Sequence, residues 1–492
     1  MLFEFKHLSM HVIQSINLKG EHNVKSKFIV FSLVLSFGLM QLVYAGDFSN
    51  IRGVGMGRTM NAASTGTDAI GINPANIAIP DIGKFTLSLA PIGVMVHTEL
   101  FSYGTYMDYF TGVAGPDGKR ISRPLTEEDK NTILSPMPDL PRTNTRVETM
   151  WFGLTFQHPV IGGIGFAVID RLGASVALSK DFFRMAAFGL DSLGSQYKFD
   201  GTDLSAWWYR EYTLSYGHKL SFKPRFVKDL YAGISIKFLR GRGIFTTDRQ
   251  NSSFGNYPTG SDQYALRGNF NFLTRRAGVD FFGDTSNSSI KDILFSDPAG
   301  KGIGFDIGIS SEVRSGLRVA LSMTDIGSIR WDKNAFESTG GGLVDVSGIY
   351  GAMGDTLKNA VKGSTKALTS FKTTLPTALR LGAEMDAKQF KFFKFIPGKL
   401  LLAFDYTQGL NKSLGNTTIP RFSLGAEYRV IRFIPIRTGL AVGGGDGVHW
   451  ALGTGFNSHY FSLDIATENF GMFFVPKSFR MVSFSLGMKI RV

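Results

Sequence analysis

The sequence predicts an all-β chain closed into a transmembrane antiparallel β-barrel. Three observations predict it. Stretches of about ten residues, each alternating apolar and polar side chains, recur to the last residue. An export segment opens the chain, and no later run is apolar for long enough to form a membrane helix. The connections alternate between short and long, as in barrels with turns at one end and loops at the other.

The C-terminus shows the alternation best. Val482, Phe484, Leu486, Met488, Ile490 and Val492 fall on one face, and Ser483, Ser485, Gly487, Lys489 and Arg491 on the other. A soluble sandwich strand also alternates. In that setting charges on the core side must be paired, whereas a barrel lumen holds water.

Residues 1–45 read as a signal peptide. Lys25 and Lys27 form the basic region, Phe28 to Leu42 the apolar region, and Val43-Tyr44-Ala45 a small-x-small cleavage site. The depth of the basic residues fits a start downstream of Met1, at Met10. Beyond Ala45 the longest apolar runs, Phe85 to Val96 and Val160 to Ile169, are short and contain Pro or Gly. There is no cysteine, hence no disulfide or thiolate metal site.

The net charge is +13; residues 1–45 carry four basic and two acidic side chains, so the remainder stands at +11. Its Lys and Arg are scattered over inward and loop positions, which argues against nucleic acid as a partner. An anion-favouring lumen, or loops lying on anionic lipopolysaccharide, accounts for the charge. The 58 glycines and 43 phenylalanines suit a sheet that bends and a wall that meets lipid.

Residues 46–83 are rich in Gly, Ala, Asn and Thr without alternation, and the barrel is expected over 84–492. Its strands are marked by Phe85 to Leu89, Phe152 to Phe156, Ile164 to Val168, Trp208 to Tyr216, Leu230 to Phe238, Ile303 to Ile309 and Leu317 to Met323. Leu379 to Met385, Leu400 to Tyr406, Phe422 to Val430, Ile436 to Val442, Trp450 to Phe456, Phe461 to Ile465 and the terminal stretch complete them. Residues 311–316 and 431–435 are then periplasmic turns, and about 97–148, 170–206, 325–377 and 467–480 external loops. Counts from the two ends clash between 240 and 301, where Leu266 to Phe272 is a further stretch. Omitting it gives 14 strands, the preferred number; pairing it with a missed partner gives 16. Two loops carry helical patterns: Thr126-Glu127-Glu128-Asp129 as a capping sequence, and Leu357, Val361, Leu368 and Phe371 on one face. Such helices either pack on the barrel mouth or form an external platform that captures solute.

The segment before the barrel reads Gly53-Val54-Gly55-Met56-Gly57-Arg58-Thr59, then Asp68-Ala69, then Asn73-Pro74-Ala75. This resembles the N-terminal region of the FadL family of outer-membrane transporters of hydrophobic compounds, where Gly-x-Gly-Arg leads to Asn-Pro-Ala just before strand one. The same stretch is shared with FadL-like barrels of unknown function and with the secretion-associated barrel PorV. Leu375-Pro376-Thr377-Ala378-Leu379-Arg380-Leu381-Gly382 is similar to strand openings in Bacteroidetes-type relatives. The resemblance implies a 14-stranded barrel with residues 46–83 folded inward as a plug, or hatch. Gly55, Gly57, Arg58, Asp68, Asn73, Pro74 and Ala75 are its candidate gating residues. Small residues suit a backbone packed inside a lumen, and Asn73 with Pro74 suits a stiff turn. The alternative is a disordered linker. Gly53-x-Gly55-x-Gly57 lacks the spacing and the Lys-Ser/Thr ending of a nucleotide loop.

Alternation puts Asp306, Arg380, Glu384, Glu427, Arg429 and Lys489 on the lumen side. Arg58 would need an acidic partner there, with Glu384, Glu427 and Asp306 as candidates. It is expected with Asn73 and Pro74 in the periplasmic half.

Enzymatic chemistry is not expected. His97, His158, His218, His449 and His459 are spread over separate turns and strand ends, with His449-Trp450 as an interface anchor. No His, Asp or Glu cluster has metal-ligand spacing, and no cofactor is implied. The resemblance implies passive uptake of hydrophobic or amphipathic small molecules across the outer membrane, through an apolar lumen pocket past the plug. Outer-membrane lipid, lipopolysaccharide and the barrel-assembly machinery are the implied partners. In that family release is sideways, and Gly162-Gly163 and Gly165 mark a place where the wall could open. The alternative is a non-transporting barrel that serves secretion or assembly, as in the PorV-like branch. A continuous apolar tunnel favours the first, a sealed lumen with large structured loops the second. The chain is expected to fractionate with the outer membrane and to show heat-modifiable mobility; recovery as a soluble periplasmic protein would overturn the reading.

Overall fold

The structure, a computed structural model, describes residues 47–115, 120–189, 196–222, 227–260, 263–279, 297–347 and 363–492. The expected signal peptide, 1–45, lies outside the described residues. Fourteen antiparallel strands form the barrel: β1 Phe85–Thr98, β2 Arg142–His158, β3 Gly162–Ala177, β4 Asp203–Lys219, β5 Asp229–Gln250, β6 Gly300–Arg314 and β7 Leu317–Trp331. The second half is β8 Ala378–Asp386, β9 Lys399–Gly409, β10 Arg421–Arg429, β11 Ile436–Gly443, β12 Val448–Asn457, β13 Phe461–Thr467 and β14 Met481–Arg491. Each pairs with its sequence neighbour, and β1 closes the sheet on β14 from Thr86↔Arg491 to His97↔Met481. Closure leaves no strand edge facing lipid, the condition for crossing a bilayer in extended conformation.

The facing follows the alternation. Ile303, Phe305, Ile307 and Ile309 are 41–52% exposed on the outer wall, while Asp306 between them is 0% exposed. Two bulges reset the phase. In β1 the register shifts between Leu89 and Ile92 around Ala90 (φ 43°), so Ser88 and then Gly93 and Met95 point inward. In β7 Asp325 (φ 58°) lies beside a shift opposite Phe305 and Ile307, which buries both Thr324 and Asp325.

The fourteen sequence-marked stretches are the fourteen strands. The fifteenth, Leu266 to Phe272, is not in the membrane wall. Gln263–Asn269 pairs with Ser253–Gly260 and Leu343–Ser347 in a separate four-stranded sheet at the long-loop end. Phe272–Gly278 pairs antiparallel with Gly243 to Gln250, the upper part of β5. Residues 251–299 are therefore a further long connection, between β5 and β6. The connections at 99–141, 178–202 and 332–377 are narrower than the expected 97–148, 170–206 and 325–377, because the bordering strands β2, β3, β4 and β7 run 17, 16, 17 and 15 residues. About 9–11 residues suffice to cross a bilayer, so these strands stand proud of it.

One expected loop helix forms. Glu127–Leu134 is capped reciprocally by Thr126 and Asp129. Arg123, 2.6 Å from Asp129, holds that carboxyl well below the ordinary carboxylate range. The other expectation fails where it is described. Ser364–Ala367 pairs with Phe336–Thr339, and Phe371–Thr374 with β7, so Phe371 is in a strand. Thr365, Thr373 and Thr374 favour the extended partners on offer. Leu357 and Val361 lie outside the described residues.

Phe484 is 47% exposed on the lipid face. Phe484→Arg is expected to cost about 2–4 kcal/mol of barrel stability, read as loss of the compact, heat-modifiable form in urea titration. Equal titrations for Phe484→Arg and Phe484→Leu would reverse the facing of β14.

Candidate functional site

Residues 48–79 run inside the barrel. Asn50 starts a short helix, Ile51–Gly55, by accepting the Gly53 N–H at 2.9 Å. A left-handed step at Gly57 and Arg58, both φ 65°, reverses the chain. Asn73 accepts the Ala75 N–H at 3.1 Å and caps the turn Pro74–Ala78.

The wall meets this segment with glycine. Gly163, Gly217, Gly233 and Gly308 stand side by side across β3, β4, β5 and β6. A Cβ on any of them would overlap, in turn, Ile77 O, Pro74 O, Ala75 N and Asn73 Oδ1. On the other side Gly425 and Gly439, paired across β10 and β11, admit Met56, and Gly453 admits Gly55. Gly93 admits Phe48 and Gly382 admits Asn61.

Backbone groups of the segment are satisfied by the wall. Asp405 accepts the N–H groups of Met60 and Asn61, each at 2.8 Å. Asn61 donates to Ala320 O (3.1 Å) and Arg380 O (3.0 Å), and Ser322 donates to Ile72 O (2.7 Å).

Arg58 does have an acidic partner, but none of the three expected. It donates two hydrogen bonds to Glu468, each 2.6 Å, stacks on Phe48 and lies 4.0 Å from Asp446. Glu427 instead holds Arg52 (2.9 Å), Arg429 (2.9 Å) and Arg437 (2.7 Å). Glu384 pairs with Arg318 (2.8 Å) and Asp306 with Lys237 (2.8 Å). The left-handed step is the cause: it sends Arg58 to the long-loop half, near the ends of β10 and β13, rather than the periplasmic half. Asp68 meets Lys489 at 2.5 Å. Asn73, Pro74 and Ala75 sit on the glycines of β4 to β6.

Other lumen charges were not singled out from sequence. Lys237, 0% exposed, lies 2.6 Å from Asp325; Arg171 reaches Glu211 (3.2 Å), Asp325 (3.3 Å) and Glu148 (3.6 Å). Glu148 also accepts the Ser49 N–H and hydroxyl. Buried charges are tolerable only in such mutually paired sets. Parity could have found several: Glu468 continues the inward series Ser462, Asp464, Ala466.

Two cavities flank the segment. One of about 110 Å³ on the long-loop side is lined by Arg58, Arg146, Arg380, Arg421, Asp325 and Asp446. One of about 360 Å³ on the short-turn side is lined by residues that include Arg52, Asp68, Glu384, Glu427 and Lys489. Charged side chains thus wall the lumen where an apolar pocket was expected. The apolar cluster of Trp207, Tyr209, Leu239, Ile329 and Trp331 lies instead where the long strands rise toward the loops. The wall is continuous at Gly162, Gly163 and Gly165, which pair with β2, and at Gly163 and Gly165 with β4; Gly163 makes room for Ile77. His449 is not an interface anchor: it is buried in the lumen, its ring 6.4 Å from that of His97, while Trp450 faces outward.

The fold and the filled lumen define a transmembrane β-barrel with an internal N-terminal segment. The chain belongs to a family of unknown function, DUF5723, whose pattern matches residues 74–479. No curated protein matches it. Similar solved structures include the Ralstonia pickettii toluene transporter TbuX, 12% identical with a TM-score of 0.42 over 90% of this chain and 97% of that one. A Pseudomonas aeruginosa FadL homologue is 13% identical, TM-score 0.46, over 91% and 99%. The Pseudomonas putida toluene transporter TodX is 10% identical, TM-score 0.38, over 91% and 97%.

Gly308→Leu is expected to unseat the Asn73–Ala78 turn. Limited proteolysis would then cut within 47–80 while the barrel stays heat-modifiable, whereas the outward Ile307→Leu leaves the segment protected. Protection of both variants would mean the turn does not rest on Gly308.

Proposed function

We propose that this protein is an outer-membrane channel for passive uptake of small amphipathic molecules, held closed by residues 46–83 acting as a plug. The observation that carries this reading is the seating of the segment on wall glycines between two cavities, one open to each half of the lumen. Side chains of the segment, Phe48, Met56 and Ile77 among them, pack on Met95, Leu401 and Ile169 of the wall, so joining the two cavities requires the segment to part from these contacts. Ion pairs at Arg58–Glu468, Arg52–Glu427 and Asp68–Lys489 set the resting position. Solute enters from the loop end, and its polar group meets charged walls on both sides of the plug.

The long loops lie on lipopolysaccharide, and assembly uses the barrel-assembly machinery. A partner role in secretion or assembly is the second reading, favoured by the four-stranded sheet that stands on the loop end.

Planar-bilayer conductance decides between them. Deleting residues 47–80 is expected to raise conductance to small ions many-fold over the full chain, with the barrel still heat-modifiable, because closure of the sheet does not require the plug. Unchanged conductance would remove the plug from the mechanism and leave the partner role.

A further inference from the structure

The short-turn cavity has a feature that the closure of the lumen does not explain. Seven basic and five acidic side chains line it. Four of the acids are engaged: Glu427 by three arginines, Asp464 by Arg437 at 2.7 Å, Asp68 by Lys489 and Glu384 by Arg318. Asp81 accepts the Ile82 N–H at 2.8 Å. Arg491, the last inward residue of β14, is different. It is only 8% exposed, yet its Nε and Nη1 have no hydrogen-bond acceptor. Arg318 Nε likewise has none. Lys399, inward at the start of β9, adds a further cation to the wall.

A buried guanidinium with unanswered donors is costly, because the charge has left water without gaining a partner. A planar fork of N–H donors suits the two oxygens of a carboxylate or phosphate. Thr86, the register partner of Arg491 on β1, lines the same cavity and offers a hydroxyl. About 360 Å³ accommodates such a group with part of an attached chain.

We propose that this cavity is a binding site for an anionic group, a carboxylate or phosphate, gripped by Arg491 with Arg318 and Lys399 supplying further positive charge. The site is distinct from the gating reading because the cations that grip the anion, Arg491, Arg318 and Lys399, belong to the wall strands β14, β7 and β9. Two sources share this chemistry, a free small anion and the headgroup of a membrane phospholipid.

The test uses the full mature chain, delipidated in a zwitterionic detergent. Isothermal titration with inorganic phosphate and with octanoate is expected to show saturable binding by at least one probe. Arg491→Gln should weaken it about tenfold or more, the loss of a charge-assisted hydrogen-bonded pair. Arg491→Lys should retain part of the affinity, and Lys399→Gln should weaken it by a smaller factor. Heat-modifiable mobility reports folding of each variant, and the exposed Lys399 site keeps the test open should changes at Arg491 block assembly. Native mass spectrometry before delipidation separates the sources. A phospholipid retained by the wild type and lost in Arg491→Gln assigns a lipid headgroup, and binding of added anions alone assigns a free solute. Absence of saturable binding by both probes together with no retained lipid, or equal affinity in wild type, Arg491→Gln and Lys399→Gln, would overturn the proposal. Conductance of the same variants is a separate readout, so failure of the channel reading leaves this one standing or falling by itself.

Discussion

Everything inside this barrel depends on one steric condition: the wall must let a folded backbone approach to contact distance. A β-strand presents a side chain to the lumen at every second residue, and even a methyl group at Gly233 or Gly308 would occupy the place of Ala75 N or Asn73 Oδ1. Glycine meets the condition at a cost, since it weakens a strand interior by roughly 0.5–1 kcal/mol relative to alanine. A closed sheet can bear that cost because every strand is paired on both sides. The row Gly163, Gly217, Gly233 and Gly308 runs across four neighbouring strands, as a flat turn lying across the strands requires.

The charges follow from the same geometry. Once the lumen is filled, inward polar positions are no longer in water, and each ionised group must find a partner within reach. Lys237 sits among Asp306, Asp325 and Glu211, and Arg437 spans Glu427 and Asp464. These sets lie between adjacent or near-adjacent strands, so they also pin the register of the strands against one another. The bulge at Asp325 is part of this arrangement. Its φ of 58° is costly for a non-glycine residue, and what it achieves is a second carboxylate beside Lys237.

Strand positions and count were legible in the sequence because the period of two is rigid: a slip of one residue would put Asp306 into lipid and Phe305 into the lumen. The surplus stretch at Leu266 was legible only as a conflict, since alternation marks any half-buried strand, including those of the external sheet. The segment before the barrel was legible as a motif and in its small-residue composition. Partner identity was not. Arg58 lies 410 residues from Glu468 in the chain, and the choice between Glu468 and Glu427 is made by the left-handed step at Gly57 and Arg58, which no periodicity reports. The chemistry of the lumen was misjudged for a related reason. Alternation says which residues face inward, but not how closely the filled lumen draws them into paired sets such as Lys237 with Asp306 and Asp325.

The segment is held by two different kinds of contact. Its first part, through Arg52 and Arg58, is fixed by ion pairs to β10 and by the pairing of Arg58 with Glu468 just beyond β13. Its last part, Asn73 to Ala78, rests on β3 to β6 through backbone contact and short polar side chains. Between them Asn61 ties to β7 and β8. Ion pairs can exchange partners along a wall that offers several, and Arg421 already shares Glu468 with Arg58 at 3.2 Å. A glycine seat has no second position of equal fit. The segment is thus anchored through exchangeable ion pairs at Arg58 and the long-loop end and through a fitted glycine seat at Asn73 and Pro74.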